Sequence, residues 1–193
     1  MSENQFPFPS DGKRYYTWNR YLREQFGQKV FKVALDAGFD CPNRDGTVAF
    51  GGCTFCSAAG SGDFAGDRVD PIPVQLEKIK EKMQHKWKDG LTMAYFQAYT
   101  NTHAPLPVLK EKFEAALACE GVMGLSIATR PDCLPDDVVE YLAELNERTY
   151  LWVELGLQTV HEKTANLINR AHDYATYVEG VEKLRKHGIR VCT

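Results

Sequence analysis

Cys41, Cys53 and Cys56 are the residues of this 193-residue chain whose type and spacing best suit joint chemistry. Eleven residues separate the first two and two separate the last two. A Cys-x-x-Cys pair can aim both thiolates at one metal centre, and a third cysteine carried round by a loop completes a trigonal face. The Asp45-Gly46 and Gly51-Gly52 steps supply the tight turns such a loop needs. Three thiolates leave one coordination position without a cysteine, which suits a cluster iron or a catalytic metal that holds a substrate there. Zinc is the competing occupant. It would take His or Asp as fourth ligand, and since the loop has no histidine, His85 or His103 would have to fold back. A thioredoxin-like redox pair at Cys53 and Cys56 would leave Cys41 unexplained. Cys119, Cys133 and Cys192 read most simply as small buried hydrophobes.

The elements that must position the loop alternate between apolar strands and amphipathic helices. Strands are expected at Val30–Leu35, Leu91–Phe96, Leu125–Ala128 and Tyr150–Leu155, with a fifth opening at Ile189-Arg190-Val191-Cys192. Between them, Ile72, Leu76, Ile79, Met83 and Trp87 form one helical face ended by Asp89-Gly90, and Leu109, Phe113, Ala116 and Leu117 form a second. A third helix starts near Pro135, with Asp136 and Asp137 in its first turn and Val138, Leu142 and Leu145 buried. Thr159-Val160-His161-Glu162 has the form of a capping box, opening a helical region that buries Tyr174, Tyr177, Val181 and Leu184 and stops at His187-Gly188. This order implies parallel strands joined by right-handed crossovers, an α/β fold. Four full units and a fragment do not close a barrel, so the expectation is a partial (βα) barrel that breaks off at its fifth strand as the first part of a longer protein. A flavodoxin-like or Rossmann sheet is the alternative, weakened because the first βα turn has no Gly-x-Gly-x-x-Gly. Residues 1–29 read as a basic, aromatic extension and 30–193 as the core.

In parallel α/β folds, sites form at the carboxyl ends of the strands. The cysteine loop follows the first strand, Gln97 to His103 the second and Thr129 to Asp132 the third, while Glu154 to Gln158 end the fourth. The Cys-x(n)-Cys-x-aromatic-Cys form of Cys41, Cys53, Phe55 and Cys56, placed after the first strand, resembles the radical S-adenosylmethionine enzymes. The stretches Asn43-Arg44-Asp45-Gly46, Gln97-Ala98-Tyr99-Thr100-Asn101, Ala128-Thr129-Arg130-Pro131-Asp132 and Glu154-Leu155-Gly156-Leu157-Gln158-Thr159 are similar to the YtqA/YhcC-type branch, related to elongator-type radical enzymes.

The resemblance implies a [4Fe-4S] cluster on Cys41, Cys53 and Cys56, whose remaining iron binds the amino and carboxylate groups of S-adenosylmethionine. It implies reductive cleavage of that cofactor to a 5'-deoxyadenosyl radical that abstracts hydrogen from a substrate. Phe55 would lie beside the adenine, Thr129 near the ribose, and Gln158 and Arg170 near the polar end of the cofactor. The usual Gly-Gly-Glu after the second strand is replaced by Gln97-Ala98-Tyr99, so Gln97 and Tyr99 would supply acceptors for the amino group. The branch points to tRNA as substrate, through the side chain of the wobble uridine, and to a flavodoxin or ferredoxin as reductant. A small-molecule substrate, or a cluster- or zinc-binding module without turnover, are the alternatives.

Composition sets the outer limits. Apolar residues at 44%, charged residues at 25% and a net charge of -3 are ordinary for a globular domain, and no apolar run approaches the roughly 20 residues of a membrane span. With no signal-like N-terminus, a cytoplasmic location is expected. Residues 13–32 combine Lys13, Arg14, Arg20, Arg23, Lys29 and Lys32 with Tyr15, Tyr16, Trp18, Tyr21 and Phe26. Trp18, Tyr21, Leu22 and Phe26 fall at helical spacing, which reads as a short helix laid on the domain; the competing reading is a platform for a nucleic-acid backbone and stacked bases.

Overall fold

The computed structural model describes residues 12–84 and 90–193. Five parallel strands, β1 (Val30–Leu35), β2 (Leu91–Phe96), β3 (Val122–Thr129), β4 (Tyr150–Leu155) and β5 (Arg190–Cys192), form one sheet in the order β1-β2-β3-β4-β5. Helices α1 (Trp18–Phe26), α2 (Ile72–Gln84), α3 (Leu106–Leu117), α4 (Asp136–Arg148), α5 (Glu162–Leu167) and α6 (Tyr174–Lys186) complete the chain. Strand order identical to chain order is the signature of barrel winding. A flavodoxin-like or Rossmann sheet needs a reversal of order, so that alternative is set aside.

Alternation along the strands sorts the side chains into two layers. On one face Val33, Leu35, Ala94, Phe96, Leu125, Ile127, Leu151, Val153 and Leu155 pack against Ile72, Leu76, Leu109, Phe113, Leu142, Leu145 and Leu184 of the crossover helices. Each such large side chain, removed from water, contributes roughly 2 kcal/mol. On the other face Val30 and Met93 meet Leu22 of α1, bordered by Tyr21, Phe26, Leu91, Met123, Tyr150 and Trp152. Trp18 and Tyr21 set their rings edge-on to Trp152 at 4.8 and 6.0 Å, and Phe26 does the same to Tyr150 at 4.8 Å. The helix that carries these rings is capped by the Thr17 hydroxyl at its start and by left-handed Gly27 at its end. These aromatics of the basic segment therefore seal the amino-terminal end of the inner face.

Four expectations are corrected. β3 begins at Val122, because Met123 forms a bulge between the pairings Thr92–Val122 and Met93–Gly124. Gly124 is required there, since a Cβ would stand 2.1 Å from the Tyr150 carbonyl. The last helical region is two helices, interrupted where Asn169 and Ala171 take left-handed φ of 52° and 59°. Tyr174 opens α6 as an exposed residue, leaving Tyr177, Gly180 and Leu184 as its buried face. The capping box does not form: His161 holds the N-cap position of α5 without a side-chain bond, while the Thr159 hydroxyl accepts from the His161 amide at 3.1 Å. Trp87, Asp89 and His85 lie outside the described residues.

Candidate active site

Each strand of the sheet sends its carboxyl end to the same rim, and the loop after β1 folds over it. Asp45 opens the loop's hairpin tip through an antiparallel bridge to Phe50, and its carboxylate accepts the Thr47 amide at 2.8 Å. Bonds from Thr47 and from His103 Nε2, 2.7 Å away, hold the Asp45 carboxyl down at about 2. His103 is thereby engaged with Asp45, away from the role of a folded-back zinc ligand.

The base of the loop is fastened by backbone geometry. Gly52 has φ of 72°, and a Cβ there would lie 2.7 Å from Arg44 Nε. Arg44 reaches the carbonyl of Ser57 at 2.6 Å and that of Cys56 at 3.4 Å. Its guanidinium also sits 5.4 Å from the Tyr99 ring centre, with Arg68 at 5.2 Å. The Tyr99 hydroxyl donates to the Ala58 carbonyl at 2.6 Å, and its amide donates to Gly60 at 2.9 Å. Tyr99 thus props the stretch that follows Cys56.

Cys41, Cys53 and Cys56 line one cavity of about 270 Å³, together with Phe55, Gln97, Tyr99, Thr129, Gln158 and Arg170. All nine residues named from the sequence meet there. Among the described residues no group of three or more His, Cys, Asp or Glu side chains is close enough to hold a single metal ion.

The thiols sit in a positive field. Cys56 is drawn down to about 6, first by a hydrogen bond from Cys53, then by Ser61 and the charges of Arg44 and Arg130. Cys53 is raised, because it supplies that hydrogen and is buried. Cys133 behaves differently: burial and the neighbouring Asp132 push it up to about 12.

Arg170 is 1% exposed, yet its guanidinium donates only to backbone carbonyls: His172 and Leu157 at 2.8 Å each, and Thr159 at 2.5 Å. Its Nη2 makes no hydrogen bond and forms a longer ion pair with Glu162 at 3.6 Å. A buried guanidinium on a cavity-lining residue, with one nitrogen not hydrogen-bonded, fits a carboxylate-bearing guest. Gln158 stands on the rim in a left-handed turn with φ of 60°. Phe55 is half exposed. Thr129 is buried at the wall with its hydroxyl already bonded to Thr102 at 2.5 Å.

Several contributors stand in the polar strand ends with roles that only the structure shows. Arg130 forms a two-pronged pair with Asp132 at 2.9 and 2.7 Å and donates to the carbonyls of Arg170 and Ala171. Asn101 is fully buried and ties the loop after β2 to the Phe96 and Ala128 carbonyls, so that end of its motif is architectural. Deeper in the cavity, Glu154 accepts from Ser126 at 2.6 Å and pairs with Lys32, which lies 4.2 Å from the Tyr95 ring centre. Burial, then the Glu154 charge, raises the Tyr95 phenol. A partly buried ion pair at this depth is weak evidence for stability, which directs attention to its chemistry.

A parallel half-barrel with a three-thiol loop over its strand ends defines a class of cofactor-dependent α/β enzymes. The model of the radical SAM superfamily matches residues 41–193, and the chain belongs to that family, whose members use a [4Fe-4S] cluster and S-adenosylmethionine. It is 74% identical over its whole length to the protein YtqA of Bacillus subtilis (strain 168), 60% of which is covered. It is 42% identical to the protein YhcC of Escherichia coli (strain K12), over 89% of this chain and 55% of that one. The protein MJ0486 of Methanocaldococcus jannaschii is 37% identical, over 95% and 56% respectively. The chain therefore spans somewhat over half the length of these relatives. No helix among the described residues is long and apolar enough to cross a membrane.

Proposed function

We propose that Cys41, Cys53 and Cys56 each give one thiolate to a [4Fe-4S] cluster and that S-adenosylmethionine occupies the cavity they line. When bound, the pair supplies one-electron cleavage of the sulfonium and a 5'-deoxyadenosyl radical able to take hydrogen from a substrate. The observation that carries this reading is that all three thiols and the strand-end polar groups line one cavity. Arg44 and Arg130 favour the thiolate form of the loop. Arg170, whose Nη2 makes no hydrogen bond within the chain, binds the cofactor carboxylate, with Gln97 and Gln158 orienting its polar end. Phe55 supports the adenine, Thr129 borders the ribose, and Tyr99 holds the loop over it. Tyr95 and Glu154 face the substrate from the same cavity, with Lys32 and Ser126 holding the Glu154 carboxylate in place.

For the whole protein, the substrate is tRNA, remodelled at the wobble-uridine side chain, in the cytoplasm, with a flavodoxin or ferredoxin as electron donor. Support comes from the elongator-like motif set and from the basic residues around α1. Anaerobic reconstitution of the full-length protein tests the first part: an iron-sulfur spectrum with 5'-deoxyadenosine and methionine formed on reduction is expected, and stoichiometric zinc without iron would overturn it. Affinity for bulk tRNA that falls steeply with added salt, and falls further in R20E/R23E, tests the second. Salt-independent or absent binding, with deoxyadenosine formation stimulated instead by a metabolite extract, would replace tRNA with a small molecule.

A further inference from the structure

Asn43 lies between the cysteine loop and the segment that carries Arg170, and it is wholly buried. Its side-chain amide splits its two hydrogens. One goes to the sulfur of Cys53 at 3.4 Å, the other to the backbone carbonyl of Asn169 at 2.6 Å. The orientation of the amide is fixed, because the Asn169 carbonyl can only accept. The remaining oxygen, Oδ1, is buried without a partner. A site that leaves an acceptor unsatisfied in order to direct two donors has a use for the donors, and one of them is aimed at sulfur.

Asn169 answers in kind. Its side-chain amide donates to the carbonyls of Gly52 at 2.8 Å and Phe50 at 3.1 Å, on either side of the turn before Cys53. The Cys53-adjacent Thr54 amide donates to Ile168 at 3.0 Å. The residue after Asn169 is Arg170. The loop and the arginine segment are thus locked face to face, with Asn43 hydrogen-bonded both to a cysteine sulfur and to the backbone beside Arg170.

We propose that Asn43 is a positioning residue that sets the reduction potential of the cluster through its N–H···S bond to Cys53; this rests on the reading of Cys53 as a cluster ligand. A hydrogen bond to a ligand sulfur stabilises the more negative, reduced state, so it raises the potential. Its removal makes the cluster harder to reduce. The second donor, to Asn169, fixes the amide at the angle that keeps the first one aimed at sulfur.

The test is an electron-paramagnetic-resonance redox titration of the reconstituted full-length protein, without S-adenosylmethionine, comparing wild type with N43A and N43D. Expected is a midpoint potential more negative in N43A and more negative again in N43D, where a carboxylate stands beside the sulfur, with the iron content of cluster-loaded molecules unchanged. Equal potentials in wild type and N43A would overturn the proposal. A second measurement needs no variant: wild type labelled with 15N in the asparagine side-chain amide should show a 15N hyperfine coupling in the reduced state. Its absence from a well-formed reduced cluster would overturn the proposal even if both variants failed to fold. Failure of the underlying reading looks different, because wild type itself would then form no cluster that depends on Cys53.

Discussion

Arg130 donates to the backbone carbonyl of Arg170 at 2.8 Å, so one buried arginine holds the chain that carries the other. Removing Arg130 takes the donor from the partly solvated Asp132 carboxylate and from two carbonyls. R130A is expected to lose about 2 kcal/mol of unfolding free energy, the scale of hydrogen bonds to a charged group left unmade. R130K should recover little of it, because an ammonium cannot serve Asp132 with two parallel bonds and the carbonyls as well. Urea denaturation of the three proteins decides the matter, and equal midpoints for R130K and wild type would refute the account.

The Lys32–Glu154 pair makes a separate prediction. K32M should cost more than the double variant K32M/E154Q, since the single change leaves a carboxylate facing the cavity without its cation. A double-mutant cycle on stability should return a coupling of about 1 kcal/mol. A coupling of zero would mean that the two charges do not sense each other.

Thiol chemistry should separate the cysteines of the apo-protein. With Cys56 near 6 and Cys133 near 12, iodoacetamide at neutral pH should label Cys56 first and leave Cys133 unmodified until unfolding. Peptide mapping after short exposure gives the order. Early modification of Cys133 would contradict the burial that raises it.

The hairpin tip should respond to acid in a defined window. Asp45 is depressed in the folded state to about 2, against an ordinary value of about 3.9. A group depressed on folding contributes stability above its unfolded value, and that contribution fades as the pH falls from about 4 through about 2. The Thr47 amide proton, bonded to this carboxylate, should therefore titrate in an NMR pH series with a midpoint near 2. A midpoint near 4 would place Asp45 free in solution, and D45N should abolish the titration.

Much of this was readable in advance for local reasons. β1, β2 and β4 are short apolar runs of six residues, and β4 alternates between a helix-packed and an inner face, so their limits follow from side-chain chemistry. β3 was read short because the bulge at Met123 and the glycine beside it carry no strand-like signal, and the need for Gly124 comes from Tyr150 on another strand. The split between α5 and α6 was hidden because Asn169 and Ala171, not glycines, adopt the left-handed backbone. The cysteines and the polar strand ends declared themselves by spacing. Asn43, Arg44 and Arg130 stand in motif stretches, but their roles were hidden, since their partners are carbonyls at Asn169, Ser57 and Arg170 that no local pattern records.

Trp18, Tyr21, Phe26 and Leu22 stopper the inner face at the amino-terminal end of the strands. The polar groups gathered at Cys41, Gln97, Thr129 and Gln158 lie at the opposite, carboxyl end. Tyr21 and Phe26 are spent on the sheet, so a partner of α1 meets the charges of this helix before those rings.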